Sequence, residues 1–153
     1  MTNETTANIR PLQPDDLERV VEIDTRITGR SRRNFFEKRL EAALADAPGF
    51  VAVAIDGASG LTGFAIARLQ SGEYGNDRQT AVLDVIGVDP DAWNQGCGQA
   101  LLEAVSELLK NKGISQLRTQ VDWSNQGMSR FFAAAGFSLA PEHVLERAAA
   151  RTL

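Results

Sequence analysis

The passage from Thr80 to Leu109 constrains this chain more than any other, because an apolar strand, a glycine-bearing loop and a long amphipathic helix follow one another without a break. TAVLDVIGV at 80–88 is a β-rich run interrupted by one acid, Asp84. From Gly98 to Lys112 the residues Ala100, Leu101, Ala104, Val105, Leu108 and Leu109 fall at helical spacing, and Lys112 with Gly113 closes the helix. A strand feeding straight into such a helix points to a mixed α/β (α+β) domain.

The remaining segments agree. A short strand at 9–12 precedes a helix announced by Pro14, Asp15 and Asp16, with Leu17, Val20 and Val21 on its apolar stripe and Asp24 one step further along it. A second helix follows Gly29, with Asn34 and Glu37 as a capping box and Phe36, Leu40, Ala43, Leu44 and Ala47 as its apolar face. FVAVAI at 50–55 turns through DGASG into a second strand at 61–70, and SGEYGND at 71–77 is a loop by composition. Beyond the central passage the pattern predicts a strand at 114–123, a helix at 125–135 ended by Gly136, and short strands at 137–140 and 144–147.

With 153 residues, 43% of them apolar, the chain supports one domain over residues 9–153 after a disordered tail at 1–8. Its formal charge of −4 provides no field for nucleic acid or an anionic membrane. No apolar run reaches the roughly 18 residues of a membrane span, so the expected location is cytoplasmic. A single cysteine, Cys97, and a single histidine, His143, offer neither a disulfide nor a metal cluster, and His143 is given no role.

The loop between strand and helix suits an anion. Glycines admit a phosphate close to the main chain, and the first amides of the helix point into the loop along the positive end of its dipole. A Walker loop requires Gly-Lys-Ser/Thr, which is absent, and a dinucleotide fingerprint requires a small residue where Leu101 stands.

A third pattern remains. Val88, Pro90, Gly96 and Gly98 resemble the Val-x-Pro-x-x-Arg/Gln-x-x-Gly-x-Gly/Ala loop of the GNAT superfamily of acetyl-CoA-dependent N-acetyltransferases, with Trp93 in the Arg/Gln position. Asn125, Phe131, Gly136 and Phe137 resemble its Asn-x-x-Ala-x-x-Phe-Tyr-x-x-x-Gly-Phe segment, with Met128 for the small residue and Phe132 for the tyrosine. Ile9-Arg10-Pro11-Leu12 before an Asp-Asp-Leu helix is similar to the family's opening. The resemblance implies a mostly antiparallel central sheet splayed between its fourth and fifth strands and flanked by about four helices. It implies acetyl-CoA in that opening, with Ile86, Gly87 and Val88 along the pantetheine arm. Trp93, Asn94, Gln95, Gly96, Cys97, Gly98, Gln99 and Ala100 would lie about the pyrophosphate, and Asn125 and Phe132 on the side of the later helix.

Acetyl transfer needs a neutral amine, donors for the developing oxyanion and a proton for the departing thiolate. Asp84 alternates with Val82, Ile86 and Val88 and is the candidate general base; its structural alternative is a carboxylate satisfied by amides or an arginine. Phe132 has no proton to give, which leaves water or Tyr74 as acid. Trp93 is either stacked near the cofactor or a surface residue over the helix start, and Cys97 fills an aliphatic position. Arg26, Arg30, Arg32, Arg33, Lys38 and Arg39 crowd the region where the resemblance places the acceptor. Asp24, Arg30, Arg33 and Tyr74 are the acceptor candidates; the alternative is a solvated helix face paired with Asp24 and Glu22. The partners implied are acetyl-CoA and a protein or small-molecule amine, with a homodimer as the assembly. The competing readings are a catalytically weak acyl-CoA-binding regulatory module and a phosphate-binding α/β protein without CoA.

Overall fold

Alternation organises the first three strands. In a computed structural model, which describes residues 8–70 and 79–150, β1 (Ile9–Pro11), β2 (Phe50–Gly57), β3 (Gly60–Gln70) and β4 (Thr80–Val88) pair antiparallel in sequence order. The expected tail at 1–7 and the loop at 71–77, with Tyr74, lie outside the described residues. Asn8 is already attached to the sheet, its carbonyl accepting from the Asp56 amide at 3.1 Å. Contact grouping divides the chain into two units, Met1–Gln120 and Val121–Leu153.

In the first unit the even residues of β2 and β3 face α1 (Leu17–Thr28) and α2 (Arg33–Ala45). Ala54, Phe64 and Ile66 join Leu12, Val20, Val21, Ile23, Phe36 and Leu40 in one buried cluster. The odd residues face α3 (Cys97–Asn111): a Cβ on Gly63 would touch Leu101 Cδ1 at 3.1 Å and Ile55 Cγ2 at 3.0 Å. Fully burying side chains the size of Leu101 or Phe64 is worth about 1.5–3 kcal/mol each, so the two faces clamp the sheet between helices.

α3 serves as the crossover that a parallel pairing requires. It returns the chain to β5 (Gln116–Arg118), which runs parallel to β4 over Thr80↔Gln116, Ala81↔Leu117 and Val82↔Arg118. Beyond Val82 the two strands part, the last link being Thr119 Oγ1 donating to the Leu83 carbonyl at 3.0 Å. The edge of β4 from Leu83 to Val88 is thereby freed of a strand partner among the described residues, which is the expected splay.

Three sequence expectations need correction. The strand at 114–123 shrinks to Gln116–Arg118, because only there does β4 remain alongside. The capping box at Asn34 does not form: α2 begins at Arg33, so Asn34 already lies in its first turn. Pro14–Asp16 announces α1 as expected, as a 3₁₀ turn fixed by Asp16, which accepts from the Gln13 amide at 2.8 Å and from Arg10 at 2.8 and 2.9 Å. In the second unit, 137–140 and 144–147 are not strands. They have no ladder partner among the described residues, and Leu139 is fully exposed. That unit holds α4 (Gln126–Ala134), which starts as expected at Asn125, whose side chain accepts from the Met128 amide at 3.2 Å.

Candidate functional site

The loop after β4 is built by two left-handed residues. After Val88 a 3₁₀ turn over Pro90–Ala92 carries the chain to Trp93, and Asn94 (φ 64°) and Gly96 (φ 82°) then reverse it into α3. Asparagine tolerates this backbone better than other side chains, and glycine carries no penalty there. The Trp93 amide is used by Pro90 at 3.3 Å, and the Ala100 amide by Gly96 at 3.0 Å. Between them, the main-chain NH groups from Asn94 to Gln99 donate to no protein acceptor among the described residues. A Cβ on Gly96 would meet nothing within 4 Å, and the row lies at the positive end of a 15-residue helix, with Asn94, Gln95, Gly96 and Gln99 exposed and Cys97 and Gly98 half-buried.

Trp93 is half exposed, and its indole NH donates to the Val88 carbonyl at 2.7 Å. The tip of β4 is therefore capped from within, and any strand-like partner has to use the edge behind it, at Ile86. Gly87 is pressed against the Phe64 ring, where a Cβ would come within 2.8 Å of Cζ. Cys97 is partly buried, and that burial pushes its thiol up, away from the reactive thiolate.

Asp84 lies at a bulge. Ile66 pairs with Val85 and Ala67 with Leu83, which leaves Asp84 without a residue opposite and breaks the strict alternation expected with Ile86 and Val88. Arg68 Nε donates to its Oδ1 at 3.0 Å, and Arg39 stands 3.3 Å from Oδ2. That second contact is an ion pair without hydrogen-bond geometry, so the buried Oδ2 accepts no hydrogen bond among the described residues.

The basic segment is largely neutralised by the protein itself. Asp24, 3% exposed, accepts from Arg32 Nε at 2.8 Å and Nη2 at 2.6 Å, while the same guanidinium lies over Phe35 and Phe36. Arg33 is paired with Glu18 at 2.7 Å, and Arg26 bonds Asp89 and Asp91. The partners are thus Glu18, Asp24, Glu37, Asp84, Asp89 and Asp91, whereas Glu22 takes Arg19. Arg30 is exposed. Asn125 and Phe132 belong to the second unit, where Phe132 is buried edge-on against Phe131 and Phe137 at 5.3 and 5.0 Å.

Sequence reasoning missed Asp89. This carboxylate, 5% exposed at the strand-to-loop corner, accepts from the Asp91 amide at 2.9 Å, from Arg19 at 2.6 Å and from Arg26. The Asp91 amide and the two guanidiniums hold its carboxyl below the usual range against the opposing effect of burial. An Asp directly before Pro-Asp is a local turn signal, and Arg19 and Arg26 lie two helical turns apart on one face of α1.

Comparison with known proteins accords with this architecture. The chain is 36% identical over 93 residues, 61% of its length, to a mycothiol acetyltransferase of Actinosynnema mirum. It is 38% identical over 58 residues to the [ribosomal protein bS18]-alanine N-acetyltransferase of Escherichia coli, covering 38% of this chain and 39% of that protein. It spans only 29% of the length of the mycothiol enzyme. Its fold superposes on the aminoglycoside 6′-N-acetyltransferase of Acinetobacter haemolyticus with a TM-score of 0.78 at 16% identity, covering 94% of this chain and 99% of that one. The model of the acetyltransferase (GNAT) family matches residues 15–137, and the chain belongs to that family.

Proposed function

We propose that residues 9–153 act as one acetyltransferase domain that transfers an acetyl group from acetyl-CoA to a primary amine of a protein or small molecule. The observation that carries this reading is the row of undonated amides from Asn94 to Gln99 at the start of α3. A diphosphate is the ligand such a row accepts, and the adjoining edge of β4 offers main-chain groups to an amide-bearing arm. Location in the cytoplasm fits a chain with no helix, among the described residues, long and apolar enough to cross a membrane.

In this reading the amides of Gln95 to Gln99 receive the pyrophosphate, while the strand edge at Ile86 and Gly87 aligns the pantetheine. The acceptor amine loses a proton to Asp84 Oδ2, directly or through water, because that oxygen is the one buried side-chain atom of the described residues that accepts nothing. The neutral amine then attacks the thioester carbonyl; as the C–N bond forms and the C–S bond breaks, the nitrogen gives its second proton to solvent, which balances the proton that the departing thiolate takes up. Phe132 supplies no proton, so the thiolate is protonated by water; a thiol pKa of about 8.5 makes it a fair leaving group without an acid. The relatives are named for mycothiol, a small molecule, and for the alanine of a ribosomal protein, which leaves both acceptor sizes open to this chain.

A second reading, a regulatory module that binds acyl-CoA with weak turnover, is favoured by Phe132 in the tyrosine position and Trp93 in the Arg/Gln position. The deciding experiment measures CoA binding by calorimetry and thiol release from acetyl-CoA against a panel of amines and peptides. Binding with acceptor-dependent release is expected. Binding without release on any acceptor supports the module, and no CoA binding removes both readings.

A further inference from the structure

Asp89 is one of two buried charged residues among those described, the other being Asp24, and the chemistry above gives it no part. Its surroundings bind the corner of β4 to two other elements. Its own amide donates to the Thr62 carbonyl at 2.7 Å, and its carbonyl receives the Ala92 amide at 2.8 Å. Oδ2 accepts from Arg19, whose Nε reaches the Leu61 carbonyl at 2.9 Å at the start of β3. Oδ1 accepts from Arg26 and from the Asp91 amide, closing the first turn of the loop. Arg26 grips Asp91 as well, at 3.1 and 3.2 Å.

Further along the loop, the Trp93 indole is tied back to the Val88 carbonyl at 2.7 Å, ahead of the amide row. From Asn94 to Gln99 its amides have no protein acceptor among the described residues, so the direction in which that row points is set at its two ends: α3 and the Asp89 corner. Building on the acetyl-CoA reading, we propose that Asp89 is a positioning residue which, through Arg19 and Arg26, holds the amide row in the geometry that receives the pyrophosphate. A carboxylate at this place accepts from several donors at once. An amide side chain cannot, since it presents one oxygen and brings an NH₂ donor toward two cations. Preorganisation of this kind lowers the ordering cost of binding and acts on phosphate recognition rather than on the thiol arm.

The test compares wild type, Asp89→Asn and Arg26→Gln. Arg26 is 40% exposed in its side chain, which makes its replacement the milder perturbation of the fold. Each protein is titrated with CoA by calorimetry and with pantetheine, which keeps the thiol arm but lacks the pyrophosphate, by NMR. Folding is verified by circular dichroism. Asp89→Asn is expected to weaken CoA by about tenfold or more and pantetheine by less than twofold, and Arg26→Gln to show the same selectivity with a smaller loss. Equal weakening of CoA and pantetheine would mark Asp89 as a structural residue only and overturn the proposal, as would unchanged CoA affinity in both variants. If Asp89→Asn does not fold, Arg26→Gln decides by the same criterion. Wild type that binds no CoA sinks the acetyl-CoA reading itself, a result distinct from either failure of the clamp.

Discussion

Replacing Gly87 by alanine measures how tightly the functional strand is packed. Gly87 lies opposite Phe64 in the β3–β4 ladder, and a methyl carbon there would stand 2.8 Å from Phe64 Cζ, 3.0 Å from Cε1 and 3.5 Å from Ile27 Cδ1. Carbon atoms prefer about 3.5–4.0 Å, so an overlap of somewhat under 1 Å has to be relieved. Phe64 has no exposed surface and stands edge-on to Phe36 with centroids 5.6 Å apart, which leaves its ring no free direction. Gly87 does not occupy the left-handed region, so alanine adds no backbone strain. By restricting the unfolded chain it even contributes about 0.4–1 kcal/mol of stability, against a cost of about 1–3 kcal/mol for overpacking. The net loss is about 0–2.6 kcal/mol, or a fall in Tm of up to roughly 10 °C for a chain of this size. Urea and thermal unfolding followed by circular dichroism measure it. In a Phe64→Leu background the cost of Gly87→Ala should shrink by about 0.5 kcal/mol or more, because the offending ring atoms are gone. An alanine variant clearly more stable than wild type, or an identical cost in both backgrounds, refutes the packing argument.

Three further outcomes are expected. Asp24→Ala strands the Arg32 guanidinium beside Phe35 and Phe36 and should cost about 1–3 kcal/mol in urea unfolding, with Asp24→Asn costing less; a loss below about 0.5 kcal/mol would contradict the importance of the pair. Asp16, bonded to Arg10, and Asp89 both have carboxyls lowered in the fold, so their contribution is complete above the unfolded value near about 3.9 and disappears as pH falls through the folded values. Asp89→Asn should flatten the decline of stability below about pH 4, and an unchanged slope would count against the clamp's electrostatics. Trp93→Phe removes the donor to the Val88 carbonyl and should cost about 0.5–1.5 kcal/mol; an equally stable variant would mean that water replaces the indole at no cost.

What was legible in the sequence was local. The β2–β3 hairpin, β4, α3 and the anion-ready loop follow from periodicity and glycine placement, and Asn125 announces α4 as a capping residue should. What escaped was set by distant partners. The bulge at Asp84 depends on the register of β3, and a period-2 reading of β4 alone cannot register it. Arg19 and Arg26 meet Asp89 across 70 and 63 residues of sequence. Phe137–Ala140 and Val144–Arg147 have strand-like side chains, but a strand exists only where a neighbour completes its ladder. Asn34 and Glu37 match the letters of a capping box, and α2, capped at Arg32, starts two residues too early to use them.

The pairing of Arg26, Arg32, Arg33 and Arg39 with carboxylates has a kinetic consequence. To an anion still in bulk solvent these groups present dipoles rather than bare charges, and such fields fade within the screening length of about 8–10 Å at ordinary ionic strength. In the acetyl-CoA reading proposed above, capture of the ligand relies on short-range amide contacts after collision, and its association rate should not fall with added salt.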